Sequence, residues 1–146
     1  MRKLNLNIVA TVLFALVGAA AATVALAAVP KDEPVRVVHF APDSDQPDAA
    51  SAKVLDEVAA RAKELGDVQV EISGHTDQSE GEAGATADYR IGLSQRRASN
   101  VRSALAVRGV KDGLMTTMAF GQGQPKSFKG AKQRRVEISF KEGAGW

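Results

Sequence analysis

Val68, Val70 and Ile72 alternate with Gln69, Glu71 and Ser73, and Val136, Ile138 and Phe140 alternate with Glu137 and Ser139. Period-two alternation marks a strand with one buried face. Such a face needs a cover, and two stretches with helical spacing can supply it. From about Asp48 to Leu65, apolar residues fall at Leu55, Val58, Ala59, Ala62 and Leu65, with Gly66 as the stop. From about Asp88 to Arg108 the stripe is Leu93, Val101 and Leu105, with Gly109 behind it. Val35–Phe40 and Met115–Phe120 are short and β-rich, completing four strands. The turn-rich stretches Ala41–Pro47, 78–87 and Gly121–Lys132 read as loops. The order is β-α-β-α-β-β. It predicts an α/β (α+β) two-layer sandwich, with two helices covering one sheet.

The first thirty residues stand outside this pattern. Arg2 and Lys3 precede Ile8–Val29, which run for 22 residues without a charge, and Ala25-Leu26-Ala27 fits a small-x-small cleavage site. Together these describe a secretory signal peptide over residues 1–27. The competing reading is an uncleaved membrane anchor over residues 8–29, since about 20 apolar residues can span a bilayer. In either case Arg2 and Lys3 stay inside and the remainder crosses the membrane. Residues 28–34 then form a short linker, residues 35–141 one domain and residues 142–146 a tail. The 146-residue chain suits a single domain. It contains no Cys, which excludes disulfide staples, thiolate nucleophiles and Cys-based zinc sites.

Charge is unevenly distributed. Residues 31–89 hold 5 basic and 14 acidic residues, whereas residues 90–146 hold 12 basic and 3 acidic ones. The two halves can pack together and neutralise one another. Alternatively, the basic half can form a nucleic-acid face; export argues against that, so no nucleic-acid partner is expected.

Arg97 lies four residues after Leu93 and four before Val101, on or beside the apolar stripe of the second helix. A guanidinium there needs partners, because an unpaired buried charge costs several kcal/mol. By topology the nearest acid is Asp77, just past the central strand. One reading is a plain Asp77–Arg97 ion pair closing the loop onto the helix. The other holds the two charges apart, Arg97 binding a carboxylate through its planar fork and Asp77 accepting from an ammonium. An amino-acid headgroup carries both charges on one carbon and suits such a pair.

Four ordered blocks carry a family resemblance: Gly74-His75-Thr76-Asp77, the run Leu93–Val101 containing Ser94 and Arg96-Arg97-Ala98, Gly121-Gln122-Gly123-Gln124-Pro125, and Arg134-Arg135-Val136-Glu137. With them, residues 35–141 resemble the OmpA-like C-terminal domain family, to which the domains of OmpA, Pal and MotB belong. The resemblance implies a mixed four-stranded sheet under two helices. It also implies noncovalent binding of peptidoglycan through the meso-diaminopimelate of the stem peptide. Asp77 would take the ammonium of that residue and Arg97 its carboxylate, with Thr76 and His75 beside them and Arg90, Ser94 and Arg135 at the rim. It implies an envelope location, in the periplasm or at the outer membrane, with other envelope proteins as further partners and no cofactor.

The chain departs from the family pattern in places. The stretch from Asp77 to Leu93 is several residues longer, Arg90 and Gln133 stand where Asn is frequent, and the loop from Pro125 to Arg134 is shortened. Without Cys there is no Pal-type lipid attachment, and the apolar N-terminal segment lacks the acid of a MotB-type proton channel.

Other chemistries find little support. His75 and His39 are the only histidines, too few for a metal cluster, and His75 reads as a loop-ordering residue. Gly121-Gln122-Gly123 lacks the Lys and the strand–loop–helix setting of a phosphate loop. There is no G-x-S-x-G and no evident carboxylate pair for glycoside hydrolysis. An enzyme is therefore not expected. A cell-wall hydrolase, a nucleic-acid binder and an envelope scaffold without wall contact are the alternatives.

Overall fold

A computed structural model describes residues 28–66, 68–83, 85–123 and 130–142. The apolar N-terminal stretch with Ala25-Leu26-Ala27, the Gln124-Pro125 end of the glycine loop and most of the expected tail lie outside these residues. Among the described residues no helix is long and apolar enough to cross a membrane.

The strands are β1 (Arg36–His39), β2 (Gln69–Gly74), β3 (Met115–Ala119) and β4 (Arg135–Lys141), and the helices are α1 (Ser51–Leu65) and α2 (Ala87–Val107). The sheet order is β1-β4-β2-β3. β4 runs antiparallel to both β1 and β2, whereas β2 and β3 are parallel, so the sheet is mixed as the resemblance implied. Both helices pack over the sheet and against each other.

The period-two residues face the helices. Val70, Ile72, Val136, Ile138 and Phe140 form one core with Val38, Leu55, Val58, Leu65, Val101 and Leu105. Each such side chain contributes about 1.5–3 kcal/mol by leaving water.

Helix ends differ from the sequence reading for local reasons. α1 begins at Ser51 rather than near Asp48, because the Asp48 carboxylate accepts from the Ser51 N–H (2.8 Å) and hydroxyl (2.6 Å) and so sits before the helix. α2 begins at Ala87, where Thr86 caps it by accepting from the Tyr89 N–H. Within the expected 121–132 loop, Gly130–Gln133 form a turn of 3₁₀ helix.

The acidic and basic halves neutralise each other across the fold, through Glu80–Arg97, Asp77–Arg134, Asp45–Arg96 and Asp56–Arg108. The expected linker is itself docked. Val29 packs on the core, and Glu33 receives the Arg61 guanidinium of α1 at 2.7 Å.

Candidate functional site

β2 delivers Gly74-His75-Thr76-Asp77 to the end of the sheet where the parallel strand β3 also stops. α2 crosses β2 at Gly74, whose missing side chain lets the Ser94 backbone come close. Arg97, almost one turn beyond Ser94, is thereby carried over the loop that follows β2.

Arg97 is 0% exposed, and every one of its guanidinium nitrogens is engaged. Nε donates to the Ser44 carbonyl (2.8 Å), Nη1 to the His75 carbonyl (3.1 Å) and Nη2 to the Ala41 carbonyl (3.3 Å). The guanidinium also lies over the Phe40 ring, 5.0 Å from the centroid. The charge itself is met by Glu80. Nη1 donates to Glu80 Oε2 at 2.7 Å, and Nη2 makes a second, very short bond to Oε1. This is the bidentate fork geometry in which guanidinium and carboxylate match best.

Glu80 is 1% exposed and needs as many partners. Besides the two bonds from Arg97, Oε2 accepts from the Asp77 N–H (2.9 Å) and Oε1 from the Asp43 N–H (3.0 Å). Asp43 has φ of 54°, an unusual backbone for a non-glycine residue, and its carboxylate returns the contact by accepting from the Gly81 N–H (2.6 Å) and the Tyr89 hydroxyl (3.2 Å). Four donors converging on one carboxylate, two from a guanidinium and two from backbone, form a complete carboxylate cradle.

The direct Asp77–Arg97 ion pair considered from the sequence is not formed. The two residues meet through Glu80 Oε2, which accepts from both. Asp77 uses its own carboxylate elsewhere: Oδ1 accepts from the Ser79 N–H (2.5 Å) and Oδ2 from Arg134 Nη1 (2.9 Å). Burial pushes the Asp77 carboxyl up, but the Ser79 hydrogen bonds and the Arg134 charge outweigh it and hold the group below its ordinary value. Asp77 borders an open cleft of about 500 Å³ with Gln78, Ser79, Gly130 and Gln133.

The remaining expected residues fall around this centre. The His75 ring stacks on Phe120 (5.3 Å, 12°) and lies 3.9 Å from Glu137, while its backbone N–H donates to the Arg135 carbonyl. Thr76 donates its backbone N–H to the Gly121 carbonyl (2.8 Å). The Ser94 hydroxyl donates to Ile91 O (2.8 Å) and accepts from the Gly121 N–H (3.0 Å), tying α2 to the loop after β3. Arg135 is buried with Nε on Glu137 (2.8 Å). The Arg90 backbone lies beside Gly121. Neither Arg90 nor Arg135 is among the donors to the Glu80 carboxylate. No group of three His, Asp or Glu capable of holding a metal occurs among the described residues.

Glu80, Asp43 and Arg134 are the site members that sequence reasoning missed. The signal for Glu80 was the unpartnered Arg97 together with an acid-bearing long loop. Spacing alone does not choose among Asp77, Glu80 and Glu82.

Residues 39–139 match the OmpA family. The chain belongs to the OmpA family. Its curated OmpA-type relatives include the peptidoglycan-associated lipoproteins of Pasteurella multocida (31% identical, covering 60% of this chain and 55% of that protein) and Brucella melitensis (30%, covering 74% and 64%). The match thus spans less than two thirds of the length of either relative. Among solved structures, the peptidoglycan-associated lipoprotein of Burkholderia pseudomallei superposes with a TM-score of 0.65 at 28% identity, covering 73% of this chain and 90% of that one. The periplasmic domain of Helicobacter pylori MotB shares the OmpA-family fold, with a TM-score of 0.61 at 21% identity, covering 73% and 71%.

Proposed function

We propose that this OmpA-family chain is a noncovalent peptidoglycan-binding module of the cell envelope, and that it grips the wall by the meso-diaminopimelate of the stem peptide. The observation that carries the reading is the placement of a carboxylate cradle at Arg97 beside Asp77, whose acid borders an open cleft. The free end of diaminopimelate bears an ammonium and a carboxylate on one carbon. Its carboxylate suits the cradle of Arg97 Nη1 and Nη2 with the Asp43 and Asp77 N–H groups. Its ammonium suits Asp77, which stays ionised to low pH. The names of the relatives, peptidoglycan-associated lipoproteins, support the peptidoglycan part of this reading. Attachment is by binding, with no bond made or broken. An exported protein in the periplasm or at the outer membrane, delivered by its N-terminal segment, fits this role.

The test is sedimentation with purified sacculi. The protein is expected to co-sediment with diaminopimelate-type sacculi and to prefer them over lysine-type wall, whose side chain lacks the distal carboxylate. Asp77→Ala is expected to abolish the association. Equal binding to both wall types, or undiminished binding by that variant, overturns the assignment.

A further inference from the structure

The carboxylate cradle already holds a carboxylate, and it belongs to the chain itself. Resting on the peptidoglycan reading above, we infer that Glu80 is an internal stand-in for the ligand carboxylate, and that ligands bind by exchange with it, the Gln78–Gly81 segment swinging out of the cradle.

Three observations support the exchange. First, the donor set around Glu80 is what a free carboxylate would need: two parallel N–H bonds from Arg97 and two backbone N–H groups, from Asp43 and Asp77. None of these donors depends on the rest of the Glu80 side chain. Second, the segment carrying Glu80 adds nothing to the hydrophobic core. Gln78 and Ser79 are exposed on one side and Glu82 and Ala83 on the other, and no residue from 78 to 83 contributes an apolar side chain to the core. Apart from Ala85 and the Tyr89 ring beside Gly81, the strap is held by hydrogen bonds and the Arg97 pair rather than by core packing, and segments without core packing are the ones that open locally. Third, beyond the bonds that Ser79 and Glu80 donate back to Asp77, the strap is tied to the Asp43 loop in both directions. Asp43 gives its N–H to Glu80 and takes the N–H of Gly81 on its carboxylate. Releasing Glu80 therefore frees the Asp43 backbone donor and loosens Gly81 at the same time.

The physical consequence is competition at high local concentration. A tethered carboxylate acts as a competitor of about millimolar effective concentration or more. The apparent affinity of any outside carboxylate is lowered by the fraction of molecules in which Glu80 is out. With that fraction at or below about one tenth, removing Glu80 tightens ligand binding about tenfold or more.

The experiment compares the wild-type protein with Glu80→Ala and Glu80→Gln in two measurements, with hydrogen exchange added for the wild type. In thermal unfolding, sodium acetate is expected to raise the midpoint of Glu80→Ala well beyond equal sodium chloride, because acetate refills the vacated cradle, while the wild type responds to both salts alike. In titration with soluble meso-diaminopimelate, Glu80→Ala is expected to bind about tenfold or more tightly than the wild type. In wild-type protein saturated with diaminopimelate, the Gly81 amide is expected to exchange faster than in the free protein. Should Glu80→Ala fail to fold in either salt, Glu80→Gln carries the diaminopimelate comparison, since its neutral amide is the weaker competitor, and Gly81 exchange in the wild type supplies the second readout.

A folded Glu80→Ala variant indifferent to acetate overturns the inference. So does diaminopimelate binding no tighter than wild type, or a Gly81 amide that stays protected in the bound wild-type protein. If acetate rescues the variant but no form of the protein binds diaminopimelate or sacculi, the peptidoglycan reading fails and the carboxylate exchange site stands.

Discussion

Gly74 and the Ser94 carbonyl are packed so closely that a Cβ on Gly74 would stand 2.0 Å from the Ser94 oxygen and 2.9 Å from its carbon. Both obstructing atoms are backbone, so the clash cannot be relieved by rotating a side chain. Gly74→Ala is expected to push α2 away from β2 and lower stability by about 1–3 kcal/mol or more. Urea unfolding measures the loss. Because Arg97 rides on the same helix, the variant is also expected to lose sacculus binding; full retention of binding would separate helix placement from the site.

The buried pair predicts a strong asymmetry. Arg97→Gln leaves Glu80 enclosed without its counter-charge and is expected to cost about 3–5 kcal/mol. The double variant Arg97→Gln, Glu80→Gln replaces two charges with two amides and is expected to cost clearly less than the single one. A double-mutant cycle by denaturant unfolding reads the difference. Equal losses would mean that the charges themselves matter little.

Ser94→Ala removes the hydroxyl that accepts from the Gly121 N–H and donates to Ile91 O. The Gly121 amide is then buried without that partner, at an expected cost of about 1–3 kcal/mol. Hydrogen exchange at Gly121 is expected to accelerate, while amides of the β2–β4 ladder change only in line with global stability.

Asp77 sets a pH dependence with a definite sign. Its carboxyl is held below the ordinary value of about 3.9. It therefore contributes stability that is fully present above that value and is lost as pH falls through the lowered folded value. Asp77→Asn is expected to be less stable than wild type at pH 7 and to show a flatter decline on acidification. Part of the decline persists, because Glu33 beside Arg61 and Asp112 beside Arg102 are lowered as well. Parallel acid curves for the two proteins would show that Asp77 contributes nothing to this limb.

Arg61 fastens Glu33 and, with it, the segment preceding β1. Arg61→Ala is expected to change global stability by less than about 1 kcal/mol, as a partly exposed pair should. The local effect is larger: the Glu33 amide, which donates to Pro30 O at 3.1 Å, is expected to lose its protection. Unchanged exchange there would mean that Val29 alone holds the segment.

The layers of the fold were legible because they follow from periodicity. Val70 and Ile72, or Val136 and Ile138, can bury their side chains only on one face of the sheet. Leu55 with Val58, and Val101 with Leu105, recur at the spacing that puts one helix face against it. Helix starts were less so, since Asp48 and Thr86 are both good caps and only the hydrogen bonds show which residue lies inside. At the site, the need of Arg97 for an anion was readable from its place on the apolar stripe. The identity of that anion was not. Asp77 and Glu80 are three residues apart in a loop, and the choice depends on Asp43 and Arg134, contributed by loops distant in sequence.

β4 lies between β1 and β2, so one of the two middle strands of the sheet is supplied by the strand that comes last in sequence order. In a chain emerging N-terminus first, β1 has no neighbour until then, and β2 has only β3 to pair with. Closure of the sheet must wait for β4 to slot in, the slow step expected of pairings far apart in sequence. Until then the helix layer lacks half its floor, and the guanidinium of Arg134, arriving just ahead of β4, can reach Asp77 only as that strand docks.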